Sequence, residues 1–239
     1  MKVCRLCERS GDFGNSHIIP EWVFVPFRDG TKPPQLVTDR PGVFPKRSPI
    51  GVYDQHLLCK SCERHFSEWD GYGKIALLDK WKEAEPRYVD SKIVAHRLPN
   101  VDIRKLRMFF ISILWRASVS NRVFFQRISL GPFEAQAKAR ILSRQPGPLD
   151  EFSIVLAKWN KSWVEVFSDP YMTKIDGLNF SVIPMSNYMS YIKVDNRTIP
   201  SSLAPFVIGA EADIYILSRD FAQSKDRKVL ENAARRFSK

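Results

Sequence analysis

The chain is predicted to be α+β on three observations. Four cysteines stand in two C-x2-C pairs, Cys4/Cys7 and Cys59/Cys62, at the ligand spacing of a zinc site. The middle of the chain carries apolar residues at three- and four-residue intervals, the period of a buried helix. The last third breaks into short β-branched and aromatic runs separated by Asn, Asp and Gly, the pattern of antiparallel strands. Together they divide the chain into a zinc-stapled module over 1–85, a helical segment over 86–148, and an antiparallel β-rich accessory region with a closing helix over 149–239.

Each element has a local reason. Residues 1–8 hold the first cysteine knuckle. Over 21–53, Pro26, Pro33, Pro34, Pro41, Pro45 and Pro49 exclude any long helix, because proline lacks the amide donor and clashes with the preceding turn. A long loop therefore joins the two cysteine pairs. From Cys59 onward Cys62, Phe66, Trp69 and Tyr72 recur at helical spacing, so the second knuckle opens a helix that ends before Pro86. Leu106, Phe109, Phe110, Ile113, Leu114 and Val119 predict a strongly buried helix within 101–127, led in by Arg104, Lys105 and Arg107. A further helix over 131–144 stops at Gln145-Pro146-Gly147-Pro148, the best candidate boundary in the chain. Strands are expected at 152–159, 162–167, 179–184, 189–194 and 212–217, and a basic helix at 220–237.

At 239 residues and 44% hydrophobic content the chain can bury a sizeable core, which excludes disorder as the default. Lysine and arginine outnumber the acids 37 to 26, a net charge of +11. That balance favours a polyanionic partner, nucleic acid first and an anionic membrane surface second. The longest mainly apolar stretch, 108–115, is far short of a membrane span and is closed by Arg116. No basic stretch followed by an apolar run opens the chain, so neither export nor membrane insertion is expected. The expected location is cytoplasmic, where paired cysteines bind metal more often than they form disulfides.

Zinc takes four tetrahedral ligands, and two C-x2-C turns supply them cheaply. With cysteine at every position no coordination site stays open, so this zinc is expected to be structural. Between the pairs lies Ser16-His17-Ile18-Ile19-Pro20, and the second pair is framed as Leu57-Leu58-Cys59-Lys60-Ser61-Cys62-Glu63. This order of knuckle, histidine-bearing hairpin and knuckle opening a helix resembles the HNH, or ββα-metal, endonucleases in their zinc-stapled, treble-clef branch. The family's strings are Asp-His-Ile-Ile-Pro and Leu-Leu-Cys-x-x-Cys followed by Asn or His. The resemblance covers about residues 1–80. The chain also looks like a subgroup of bacterial proteins of unassigned activity that share these strings. The same subgroup carries a Phe-Ser-x-Trp-acid string, here Phe66-Ser67-Glu68-Trp69-Asp70, and a later Ser-x-x-Trp-Arg, here Ser112-Ile113-Leu114-Trp115-Arg116.

The resemblance implies a metal-dependent endonuclease acting on DNA, with RNA as a variant of the same site. Such enzymes serve in phage defence and mobile-element control. His17 would be the general base, and a divalent ion, Mg2+ or Mn2+, would sit between hairpin and helix. Two positions depart from the family: Ser16 stands where it has the metal-binding Asp, and Glu63 where it has Asn or His. Glu63, with Ser16 beside it, would then hold the ion. Glu63 also reads as an ordinary acid at a helix start. Asp54 occupies the place of the family's middle Asn and would orient His17, with His56 as the alternative. Trp115 and Arg116 read as core, with Arg116 pairing Asp70 or Glu68. The rival function is a zinc treble-clef module without catalysis that binds nucleic acid or a protein partner, a second copy of the chain included.

Overall fold

The computed structural model describes residues 2–27, 33–38, 40–160 and 166–220, together with 222, 224, 227 and 231. Strands β1 (Ser16–His17), β2 (Gln35–Val37), β3 (Lys46–Arg47) and β4 (Tyr53–Asp54) precede helix α1 (Lys60–Leu77). A hairpin of β5 (Glu85–Val89) and β6 (Lys92–Leu98) leads to α2 (Ile103–Val119) and α3 (Phe133–Ser143). The chain then runs through β7 (Ile154–Trp159), β8 (Val166–Ser168), β9 (Tyr171–Ile175), β10 (Leu178–Met185), β11 (Tyr188–Lys193) and β12 (Ile214–Arg219). The mixed α+β class is as expected, with a large sheet and three α-helices among the described residues. None of those helices is long and apolar enough to cross a membrane.

Helix α2 is the spine. Its N-cap is Asp102, whose carboxylate accepts from the Lys105 amide at 2.9 Å, satisfying one of the orphan donors of the first turn. From Leu106 to Ala117 every side chain is buried, because α2 packs against α1, α3 and β11 at once. Helix α1 meets it with a face of Cys62, Phe66, Trp69, Gly73 and Ala76. At Gly73 a Cβ would lie 2.7 Å from the Phe109 ring, so the crossing requires glycine. Helix propensity alone would make Gly73→Ala a gain of about 1 kcal/mol. Phe109 is fully buried and has nowhere to move, so we expect overpacking to win, with a net loss of about 1–2 kcal/mol by urea denaturation.

Three expectations need correction. Residues 86–148 are not wholly helical, since they open with the β5–β6 hairpin, whose side chains are largely exposed and lack the alternation that marks a half-buried strand. The Pro146–Pro148 turn is no loose boundary: Arg107 donates from α2 to the carbonyls of Gly147 at 2.9 Å, Pro148 at 2.7 Å and Glu151 at 3.2 Å. The sheet is not purely antiparallel. Its seven strands run β5-β6-β12-β7-β11-β10-β9, and β12 pairs with β7 in parallel. Of the expected strand at 162–167, residues 162–165 lie outside the described residues, and Val166–Ser168 pairs in parallel with β2 in a separate three-stranded sheet. The closing helix at 220–237 lies almost wholly outside the described residues. The main apolar core joins residues from Cys4 to Ile216, and a second, smaller one gathers Val155, Ala157, Phe180, Val182 and Val207 on the large sheet.

The sheet is tied to the helices by Tyr188, whose hydroxyl donates to the Leu77 carbonyl at 2.7 Å. Lys158 on β7 lies between the rings of Trp81 and Tyr188, its Nζ 4.6 Å from each centroid. Burial pushes the Lys158 ammonium down to about 8 and the Tyr188 phenol up, and the ring faces offset part of the lysine's cost. Above about pH 8 the folded chain has released a proton that the unfolded chain keeps, so stability rises with pH; above about pH 10 the tyrosine reverses the sign. Urea midpoints measured across this range are expected to climb for the native chain and to stay flat up to pH 10 for Lys158→Met.

Candidate functional site

The first element is the cysteine cluster. The sulfurs of Cys4, Cys7, Cys59 and Cys62 all lie within 4.8 Å of one another, and Cys7 Sγ is 3.9 Å from Cys59 Sγ. Sulfurs at the corners of a tetrahedron drawn about 2.3 Å from its centre stand roughly 3.8 Å apart, so the cluster has the dimensions to hold a metal ion. Local backbone builds it. The first knuckle closes through Glu8, which takes a positive φ of 58°, with its amide on the Cys4 carbonyl at 2.9 Å and the Cys4 amide on the Arg9 carbonyl at 3.0 Å. The second is docked by the Lys60 amide on the Asp12 carbonyl at 2.8 Å and the Arg5 amide on the Leu57 carbonyl at 2.9 Å. Burial raises the Cys59 thiol, but hydrogen bonds from the Ser61 hydroxyl and the Cys62 backbone outweigh it and bring the thiol down to about 6. Burial pushes the neighbouring Cys62 thiol up instead, so without a cation the cluster shares its protons unequally, and a bound metal would take the place of those that remain.

The second element is a cavity of about 180 Å3 between β1 and α1, walled by Ser16, His17, Glu21, Glu63, Asp70 and Arg116. Two polar atoms on these lining residues are unanswered: the Ser16 hydroxyl, on a residue only 1% exposed, and His17 Nε2 are both buried without a hydrogen-bond partner. The opposite wall is the first turn of α1, where Glu63 folds back over the β1 loop; a Cβ at Gly14 would stand 2.9 Å from its Oε2. Glycine at 14 makes room for that carboxylate. The His17 ring meets Tyr53 edge-on at 6.1 Å, the register partner of His17 in the β1–β4 pair.

Arg116 anchors this wall. Its Nε donates to the Ser112 carbonyl at 3.3 Å, one terminal nitrogen to the His17 carbonyl at 2.7 Å and Asp70 Oδ2 at 2.9 Å, and the other to Asp70 Oδ1 at 2.6 Å and the Ser112 hydroxyl at 3.1 Å. These bonds use all five guanidinium N–H groups. The partner anticipated as Asp70 or Glu68 is Asp70. Glu68 instead pairs with Lys105 and Arg144.

Asp54 does not orient His17. It stands opposite Ser16 in the register, and His17 stands opposite Tyr53, so strand alternation turns the two side chains to different faces. Both carboxylate oxygens are also spoken for: Oδ1 accepts from the His56 amide at 2.9 Å, and Oδ2 from the Ser120 hydroxyl at 3.1 Å and the Asn121 amide at 3.4 Å. Asp54 thus ties the hairpin to the end of α2. His56 lines a different cavity, beside Arg5 and Trp115. Glu21, one residue past the His-Ile-Ile-Pro string, is an acid on the cavity wall that sequence reasoning missed; its only signal was that adjacency.

No protein-family model, curated protein or solved structure matches this chain.

Proposed function

We propose that the chain is an HNH-type endonuclease that hydrolyses phosphodiester bonds in DNA, with a structural zinc in the four-cysteine cluster. The observation that carries this reading is that Ser16, His17 and Glu63 line one cavity while Ser16 Oγ and His17 Nε2 are both buried without a partner. Buried polar atoms ordinarily find a partner, so two of them on neighbouring residues of one cavity lining mark a place for something polar to bind. A tetrahedral thiolate set suits zinc, and such a zinc would fasten the histidine hairpin to α1 in treble-clef fashion.

In this reading His17 Nε2 accepts a proton from water as that water attacks phosphorus and the ester oxygen departs. Arg116 holds the His17 main chain in place, and Tyr53 flanks the ring. A divalent ion, Mg2+ or Mn2+, held by Glu63 and Ser16, would neutralise charge on the phosphate and the leaving oxygen. The donor set is thin, since the cysteines form the only cluster of three or more ligating side chains among the described residues. It suits an ion that keeps several waters and takes its remaining ligands from phosphate. Phage defence or mobile-element control extends this reading from the resemblance alone.

The test is nicking of supercoiled plasmid with Mg2+ or Mn2+. His17→Ala and Glu63→Gln are each expected to lower the rate at least about 100-fold, the usual scale for a general base or a metal-side ligand. Rates unchanged in both variants would sink the assignment. Ser16 in place of a carboxylate favours a second reading, a zinc module that binds nucleic acid or a protein partner without cutting; binding with no nicking in either metal would decide for it.

A further inference from the structure

A second cavity, of about 660 Å3, is lined in part by Tyr53, whose ring meets that of His17 edge-on. It lies between the segment around β2 and β3, the turn that follows α2, and Asp169. Its volume falls within the range of about 300–1,000 Å3 usual for ligand sites. Its lining combines two features that solvent alone does not favour together. The charge is one-sided: Arg40, Lys46, Arg47 and Arg122 face a single acid, Asp169, which is already engaged by the Thr38 hydroxyl at 2.8 Å and by Arg127 at 3.7 Å. Flat rings accompany the cations. Phe44, Tyr53 and Phe124 line the same space, and Phe44 is 76% exposed.

The cations differ in what they have left to give. Arg40 is committed to the Val123 carbonyl at 2.8 Å and the Gln126 side chain at 2.7 Å, and so shapes the wall. Lys46 and Arg47 on β3 are exposed and pair with no acid among the described residues. Arg122 sits 6.0 Å over the Tyr53 ring, and its Nε is buried without a partner. Donors and positive charge beside an exposed ring, Phe44, and two half-buried ones, Tyr53 and Phe124, match one chemistry, a planar heterocycle carrying acceptors on a phosphate-bearing chain. In a duplex the ring faces are hidden in the stack, and only an unstacked base can lie on an aromatic side chain.

We propose that this cavity takes an unstacked base of a single strand, with Lys46 and Arg47 on the flanking phosphates, so that the preferred substrate is single-stranded or locally opened nucleic acid. Naming that strand a substrate rests on the nuclease reading; its binding does not.

The experiment is fluorescence anisotropy with full-length His17→Ala protein in zinc-replete buffer, so that nothing is cut. The probes are labelled 12-nucleotide deoxy and ribo strands, the matching DNA duplex and a mononucleotide competitor. Single strands of either sugar are expected to bind at least about ten-fold tighter than duplex. Phe44→Ala is expected to erase most of that preference, at about ten-fold or more, whereas Phe44→Trp should keep it. Arg47→Ala should lower the slope of log affinity against log salt by about 0.7. Phe44 is exposed, so an unchanged melting temperature in Phe44→Ala will separate lost binding from lost folding. Duplex bound as tightly as single strand, indifference to Phe44→Ala, or displacement by mononucleotide at strand-like concentration would each overturn the inference. Failures of the two readings look different. Single-strand binding without cleavage by the native chain sinks the nuclease and spares the cavity. Duplex nicking unaffected by Phe44→Ala does the reverse.

Discussion

Chelating the metal, or replacing Cys62 with serine, is expected to unfold the N-terminal module. The stretch before α1 has little secondary structure to order it: its strands are two or three residues long, and isolated bridges such as Val3 to Ser10 and Phe13 to Cys59 join its parts. Segments of that length do not hold themselves in water. A structural zinc contributes on the order of 10–16 kcal/mol in zinc-finger peptides, as much as the whole stability of an ordinary domain. The effect should spread, because Cys4, Leu6, Ile18, Ile19 and Phe24 belong to the same core as α2 and the large sheet. The native chain is expected to carry one zinc per molecule by elemental analysis and to resist limited proteolysis. Cys62→Ser, or the native chain with a strong zinc chelator, should lose the metal and be cut first between residues 1 and 60. Protein purified without stoichiometric metal, or a Cys62→Ser variant that melts where the native chain does, would remove the basis of the site.

What the sequence disclosed is what depends on near neighbours. Ligand spacing is local, so Cys4, Cys7, Cys59 and Cys62 group together on their spacing alone. The same holds for the three helices, whose periodic apolar faces reach their observed limits within a few residues, except at the end of α1, which stops at Leu77 and gives way to a 3-10 turn over Asp79–Glu83 well before Pro86, and at the end of α2, where Ser120 turns extended and Asp54 takes up its hydroxyl. What stayed hidden depends on partners far along the chain. The parallel pairing of β12 with β7 joins Ile216 to Leu156, and no local pattern encodes it. The β5–β6 hairpin turns at Asp90 and Ser91, both at positive φ without glycine, and its mostly exposed faces erase the two-residue alternation. Asp54 illustrates the same limit within the site: its distance from Cys59 in sequence suggested a place beside His17, but register decides which face a strand residue takes, and register is not written in spacing.

The opposite case is Arg116, whose partner the sequence narrowed to Asp70 or Glu68 and whose consequences are large. The ion pair is deeply placed, with side-chain exposures of 3% for Arg116 and 21% for Asp70, and the guanidinium also lies 4.9 Å from the Phe66 ring. Arg116→Met removes the five donors and leaves the Asp70 carboxylate, the Ser112 hydroxyl and the His17 carbonyl without them. Stranding one partner of such a pair costs about 3–5 kcal/mol, which we expect as the loss in urea denaturation. Much of that cost is the uncompensated acid, so the double variant Arg116→Met/Asp70→Leu is expected to regain most of it, because apolar replacement of both partners is often near neutral. Nicking should not return with stability. The bond at 2.7 Å from Arg116 to the His17 carbonyl is the tie that fixes the histidine backbone against both helices, and a misplacement of about 1 Å in a reacting group costs on the order of 100-fold in rate. A double variant that is stable and still nicks at the native rate would mean that Arg116 serves the fold alone; one that is stable and slow would separate the two roles of a single side chain.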